Sequence, residues 1–400
     1  MEHLRFKPCK ADPDVWMRKA VKSTDGTEYW EYILLYVDDV LCCSMNAKDV
    51  LEKELGKFWT LKKHSVGPPN LYLGNKVSKV TLENGVKCWS FGAAQYVQSA
   101  VDNVEKYLKT INECLPRKTI SPFSKDYRPE IDISQELSPK DAQYFQSLIG
   151  ILRWIVELGR FDIAVEVSML SSMMAFPRKG HLNEAFHIFG YLKLRYNSEM
   201  VFDPTVPDFD DTQFPQEDWR YTPYNGTKEH MPKDHPETRG LGFKINGNLE
   251  SDYAGDYITR RSRTGFNIFL NNLPIYWFTK KQGSCETSSF GSEFIAIKQC
   301  CEYVRGLRFK LRMMGIPVDG PSYIFGDNKS VLVNSSIPTS VLKKKSNSIA
   351  YHFVRERCAS DEWRVTYVNT NDNVADLLTK PLQNGEKRRR LIGMVIHHVF

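Results

Sequence analysis

The chain has 400 residues, 42% of them hydrophobic, with a formal net charge of +6 and nine cysteines. That length accommodates two or three domains with ordinary cores and excludes a wholly disordered chain, while the mildly basic balance permits an anionic partner without requiring one. There is no Cys-x-x-Cys spacing, no apolar signal region in Met1-Glu2-His3-Leu4-Arg5-Phe6, and no uncharged apolar run of about eighteen residues, so the expectation is a soluble intracellular protein without zinc, disulfides or a membrane partner.

Residues 1 to about 90 alternate strand-like runs with one short helix, from Asn46 to Phe58, whose Val50, Leu51, Leu55 and Phe58 fall at helical spacing. Within the run Glu31 to Cys43, Asp38 and Asp39 sit among apolar, β-branched and aromatic residues. Two adjacent carboxylates are unfavourable inside a strand unless a cation or a solvent-exposed turn accommodates them, which predicts a strand-turn-strand with the pair at its tip. Tyr96, Val97, Ala100, Val101, Val104, Tyr107 and Leu108 mark an amphipathic helix over 93–109. After a Pro-broken loop, Ser138-Pro139-Lys140-Asp141 is a helix start, with Ser as N-cap, Pro in the first turn and Asp near the positive dipole end. Further apolar-faced helices are expected from about Asp162 to Met174 and from His181 to Arg195. Residues 203–239 hold six prolines among acids and polar residues without apolar periodicity, which reads as a linker.

Beyond it, Gly242–Ile245, Gly265–Leu270 and Leu273–Phe278 read as three successive strands, followed by a helix from Ser292 to Met314 and a strand at Tyr323–Gly326. Helices are expected from Asn328 and over 348–357, with a last strand at 363–368. Basic clusters lie at Arg260-Arg261-Ser262-Arg263, Lys280-Lys281, Lys343-Lys344-Lys345 and Lys387-Arg388-Arg389-Arg390, and such residues bind nucleic acid through phosphate contacts.

Tyr36-Val37-Asp38-Asp39 with its apolar flanks resembles the palm hairpin of reverse transcriptases. Leu4 to Asp14 ahead of it, Tyr72-Leu73-Gly74-Asn75-Lys76-Val77 behind it and Gln95-Tyr96-Val97 beyond resemble, in the same order, segments of the polyproteins of copia-type LTR retrotransposons. Tyr144-Phe145-Gln146-Ser147-Leu148-Ile149-Gly150 and Tyr191-Leu192-Lys193 resemble the brackets of that family's helical connection, although the usual Arg-Pro-Asp-Ile stands here as Arg160-Phe161-Asp162-Ile163. The last region resembles the family's RNase H domain, whose succession βββαβαβα forms a mixed sheet covered by helices.

The resemblance implies an α/β (α+β) chain. A truncated palm and thumb would occupy 1–115, a helical connection 116–202, a linker 203–239, an RNase H-like domain 240–385 and a basic tail 386–400. It implies Asp252, Glu293, Asp327 and Asp376 as catalytic metal ligands, with Asp256 and Asp372 as nearest competitors, and Asp38 and Asp39 as a polymerase metal-site remnant. Two Mg²⁺ ions, with Mn²⁺ able to substitute, would serve hydrolysis of the RNA strand of an RNA–DNA hybrid. Arg260, Arg261, Arg263, Lys280, Lys281, Lys343, Lys344 and Lys345 would bind that hybrid through its shape. His352, between Tyr351 and Phe353, reads as structural. With no earlier palm strand to supply a further Asp, RNA-directed DNA synthesis by this chain alone is not expected. Other partners would be a full-length polymerase or a second copy, in the cytoplasm (a virus-like particle) or the nucleus. The alternative function is a catalytically silent hybrid-binding relic or a structural subunit.

Overall fold

The computed structural model describes residues 1–62, 64–209, 212, 214–342 and 344–397, and within them the polypeptide is a mixed α/β structure built on three sheets. The first sheet is antiparallel, in the order β1 (Lys7–Pro8), β2 (Val15–Val21), β3 (Glu28–Tyr36) and β4 (Asp39–Cys43). Tyr36 pairs with Asp39, so Val37 and Asp38 form a two-residue turn. Val37 takes a positive φ of 56°, a conformation strained for a β-branched residue, and is 95% exposed. The helix expected over 46–58 is instead a succession of turns of different pitch, α1 (Ala47–Asp49) followed by a wider turn over Val50–Glu54 and a tighter one over Leu55–Lys57. Gly56 weakens a regular helix there, while Val50 and Leu55 still supply its buried face. Arg18 ties these turns to the sheet by donating to both Glu31 and Glu54.

The second sheet, also antiparallel, runs β5 (Leu71–Tyr72), β6 (Asn75–Thr81), β7 (Lys87–Gly92) and β8 (Glu199–Phe202). Its last strand arrives only after a helical block of α2 (Ala94–Thr110), α3 (Pro139–Glu157), α4 (Ala164–Ser171) and α5 (Lys179–Leu194). Ser138 caps α3 as its sequence requires, accepting from the Asp141 amide at 3.2 Å. Apolar faces of all four helices meet in one core, where Val104, Leu148, Ile149, Leu170 and Phe189 are buried. A buried ionic knot completes it. Arg160 donates twice to Asp162, at 2.8 and 2.9 Å, and the Tyr191 hydroxyl donates to the same carboxylate at 2.9 Å. Burial works against the charge of Asp162, yet the Arg160 guanidinium holds it below the ordinary carboxylate range.

The third sheet has the order β11 (Leu273–Lys281), β10 (Arg263–Leu270), β9 (Ile245–Asp252), β12 (Ser322–Gly326), β13 (Trp363–Tyr367), with β12 parallel to both of its neighbours. Between β11 and β12 runs the long helix α6 (Ser289–Met313), and α7 (Lys329–Ser336) and α8 (Ser348–Ala359) precede β13. Two helices therefore separate the parallel strands β12 and β13, and after β13 comes a single tight turn, Val374–Leu378, before α9 (Glu386–Gly393). Residues 386–393, read from sequence as a tail, send Leu391 and Ile392 into the core of the helical block, where Arg388 donates to the Asp162 carbonyl at 2.6 Å.

The proline-rich stretch forms no helix or strand among its described residues but lies against the third sheet's core. Trp219 and Tyr224 are buried there, and Glu229 pairs with Arg308 at 2.7 Å and with Arg312 on α6. At the far end of α6 the first sheet attaches. The Tyr32 hydroxyl donates to the Met314 carbonyl at 2.8 Å, and the Trp30 indole donates to the Glu237 carbonyl at 2.9 Å. Gly315, with φ 74°, permits this approach, since a Cβ there would fall 2.4 Å from Trp30 Nε1.

Asp162→Ala should cost about 3–5 kcal/mol, because it leaves Arg160 buried without its counter-charge. Urea unfolding followed by circular dichroism measures the loss, and a cost under about 1 kcal/mol would show that the knot does not hold the block together.

Candidate metal and nucleic-acid site

Three carboxylates converge at the middle of the third sheet. Glu250 projects from β9, Glu293 from the second turn of α6 and Asp327 from the end of β12, with one oxygen of each within 4.8 Å of the others. Glu250 and Glu293 are only 6% and 5% exposed. Several contacts hold them in place. The Ser251 amide donates to Glu293 at 3.2 Å, Thr370 donates to Asp327 at 2.8 Å, and the Asn373 amide group donates to the Leu249 carbonyl at 2.9 Å while lying 3.5 Å from Glu250. Gln282 joins the sheet to the start of α6, giving its side-chain N–H groups to the Ser292 carbonyl (2.9 Å) and Thr264 (3.1 Å). Burial, and then repulsion among the three acids, pushes Glu250 and Glu293 well above the ordinary carboxylate range.

The sequence reading placed Asp252 in this group, and the structure corrects it to Glu250. The strand begins at Ile245, later than the apolar run at 242–245 suggested, and continues through Asn246-Gly247-Asn248 to Asp252. Polar and glycine residues give no strand signal, so the acid two positions earlier on the same face went unseen. The Asp252 carboxylate instead accepts from the Arg263 amide beneath the 253–262 loop, and burial pushes it up to about 6. Gly255 closes over it, since a Cβ there would fall 1.8 Å from an Asp252 oxygen.

Asp376 is fully buried on the tight turn after β13. That turn packs directly on β10 at Gly265, where a Cβ would meet Thr379 at 2.7 Å. Asp376 forms ion pairs with Lys380, at 2.7 Å, and with Lys387 of α9, and Lys380 also lies 3.7 Å from Glu250. The Lys380 ammonium loses hydration there, yet the Asp376 and Glu250 carboxylates raise its pKa. Lys387 belongs to the basic run at 387–390, but neither it nor Lys380 is marked in the sequence as a partner of Asp376.

The competitors are engaged elsewhere. Asp256 pairs with Lys281 at 2.8 Å, Asp372 pairs with Arg390, and His352 lies 2.6 Å from the Tyr224 hydroxyl. Asp38 and Asp39 are exposed at the hairpin of the first sheet, and among the described residues no group of three possible metal ligands includes them. Of the basic residues expected at a nucleic-acid surface, Arg260, Arg261, Lys280 and Lys345 are exposed. Arg263 is buried, with its guanidinium donating to Ser168 at 2.7 Å, and Lys344 pairs with Glu286 at 2.6 Å. Lys343 lies outside the described residues. For Arg263, Lys281 and Lys344, partner acids and hydroxyls distant in sequence decide how much of the cation remains in solvent. No helix among the described residues is long and apolar enough to cross a membrane.

No family model matches the chain. It is 23% identical, over 98% of its length, to the retrovirus-related Pol polyprotein from transposon TNT 1-94 of Nicotiana tabacum, of which the match covers 26%. It is 24% identical, over 88% of its length, to the corresponding polyprotein from transposon RE1 of Arabidopsis thaliana, covering 20% of that protein. The chain thus spans about a fifth to a quarter of the length of these relatives. Among solved structures, RNase H1 from the archaeon Halobacterium salinarum NRC-1 aligns over 34% of this chain and 94% of its own, at 14% identity and a TM-score of 0.28.

In metal-free solution, stability should fall as pH rises from near 4.5 through neutrality. The folded state keeps protons on Glu250 and Glu293 that the unfolded chain has released, so fewer protons are bound after unfolding and the slope is negative. Glu250→Gln should flatten that slope between urea midpoints taken at about pH 5 and about pH 8. An unchanged slope would show that Glu250 is not held protonated in the folded state, as its burial beside two other acids requires.

Proposed function

We propose that this chain, which corresponds to the C-terminal part of a copia-type retrotransposon Pol polyprotein, acts as a ribonuclease on the RNA strand of RNA–DNA hybrids. The observation that carries the reading is the group Glu250, Glu293 and Asp327, three hard oxygen donors drawn together in a buried place that costs stability when no cation is present. Carboxylates at this spacing suit Mg²⁺ or Mn²⁺, and Glu250, Glu293 and Asp327 would hold such an ion. Bound there, a divalent ion would supply activation of water and neutralisation of charge on the leaving 3′ oxygen.

The chain's own residues do the rest. Asn373 and the Ser251 amide fix the directions of Glu250 and Glu293, so the donor set is in place before substrate arrives. Lys380, partly exposed beside Glu250, presents an ammonium where a phosphate approaching the acids would meet it. Arg260, Arg261, Lys280 and Lys345 would take neighbouring phosphates, and 2′ hydroxyls in the wide minor groove of a hybrid would identify the RNA strand. The Asp38–Asp39 hairpin would be the remnant of a polymerase palm, and α2 the thumb, in a chain that does not itself extend a primer. The exposure of both acids supports that reading, as does the finding that among the described residues no group of three possible metal ligands includes them.

The full chain with Mg²⁺ should therefore cut the RNA of a labelled hybrid and spare duplex DNA. Glu250→Gln, Glu293→Gln and Asp327→Asn should each lower turnover by roughly a hundredfold or more. Asp252→Asn should retain most activity, and Asp38→Asn all of it. Loss from Asp252→Asn equal to that from Glu250→Gln, in variants that melt like the parent, would return the first ligand to Asp252. Primer extension abolished by Asp38→Asn would overturn the polymerase half of the proposal.

A further inference from the structure

The basic run at 387–390 was expected to be a solvated nucleic-acid contact, but most of its charge is used internally. Arg388 is buried, donates to the Leu382 and Asp162 carbonyls and lies 3.8 Å from Glu166. Arg390 pairs with Asp372, and Lys387 with Asp376. Leu391 and Ile392 of the same helix are buried among α2, α3, α4 and α5. One short helix therefore has one side fixed in the helical block and a lysine reaching into the acid site of the third sheet.

We infer that Lys387, acting with Lys380, is a positioning residue that occupies Asp376 with ammonium groups and thereby makes the charge of the acid site depend on the docking of α9. The inference rests on the reading of Glu250, Glu293 and Asp327 as a divalent-cation site. Asp376 is fully buried, and its two oxygens are divided between the two lysines, so it is spoken for while α9 is docked. The four carboxylates Glu250, Glu293, Asp327 and Asp376 bring four negative charges when ionised, and the two lysines bring two positive ones. The remainder matches a single divalent ion. Removing Lys387 leaves an excess negative charge and releases one oxygen of Asp376 from its partner. Both changes favour a cation. The lysines also point to a route by which substrate acts on the site, because phosphates approaching Lys380 or Lys387 compete with Asp376 for the same ammonium groups.

The test uses the full chain without nucleic acid and Mn²⁺ alone as the probe, with free ion followed by electron paramagnetic resonance. Lys387→Met should bind Mn²⁺ roughly tenfold more tightly than the parent, the scale of one unit charge removed from a half-buried site. Lys387→Arg should restore the parent affinity, and Arg389→Ala, which removes an exposed charge from the same helix, should leave it unchanged. If Lys387→Met does not fold, Lys380→Met reports on the other half of the pair and should shift affinity in the same direction. Unchanged Mn²⁺ affinity in the lysine variants, with Glu250→Gln weakening it, would overturn the positioning role and leave the ribonuclease reading intact. The expected tightening in Lys387→Met, together with a parent chain that cuts no hybrid, would support the lysine pair and remove the ribonuclease reading.

Discussion

Carboxylates repel, and bringing Glu250, Glu293 and Asp327 within 4.8 Å of one another in a nearly dry place is the condition to which much of the third sheet answers. Each acid comes from a different element, and the backbone must be exact enough to hold three carboxyl groups together although this keeps protons on Glu250 and Glu293 when no cation is present. The Gln282 side chain bridging β10 and α6, the Asn373 side chain bound to β9, and the close approach of the Val374–Leu378 turn to Gly265 supply that exactness. Lys380 supplies part of the charge balance. An apolar core could tolerate substitutions that shift these strands by a fraction of an ångström, whereas a charge cluster cannot, since its energy changes steeply with distance.

The same economy of charge recurs in the helical block, with the opposite sign of problem. Arg160 and Arg388 are cations in a core, and Asp162, Glu166 and Tyr191 are arranged around them. Burial pushes Glu166 up to about 7, against the pull of Arg388, so this pair is less settled than Arg160–Asp162. Residues from three stretches of sequence meet there, at 160–166, at 191 and at 388. The C-terminal helix is consequently part of the block's core, although its composition is that of a solvated segment.

Elements with local signals were legible in the sequence. Ser138 caps the helix it was expected to cap, and the helix expected from Asn328 starts there, because a cap is a contact between residues three apart and needs nothing distant. The apolar runs at 265–270 and 323–326 are strands for a similar reason, each being bounded by turn residues. The central strand β9 was misplaced because Asn246, Gly247 and Asn248 are strand residues by pairing on both sides, and pairing leaves no trace in composition. That displacement of a few residues carried the first acid from Glu250 to Asp252. Glu293 and Asp327, which the fold brings together with Glu250, have local signals, since one opens an apolar-faced helix and the other ends an apolar strand. The fate of the basic clusters was not legible, since Lys281, Lys344 and Arg390 resemble Lys280 and Lys345 until their distant partners are known.

α6 joins two features that are otherwise far apart in the chain. Glu293 lies near its start, and the carbonyl of Met314, just past its end, receives the hydroxyl of Tyr32 from the first sheet. At about 1.5 Å per residue the helix sets these points roughly 30 Å apart and behaves as a spacer of fixed length. It also fixes an angle. Adding a single residue within it would advance its far end by about 1.5 Å and turn it by about 100°, carrying Gly315 away from the face of Trp30. Changes of length are thus tolerable only near whole turns, so the helix keeps the first sheet and the acid site in phase as a screw thread keeps two nuts in phase.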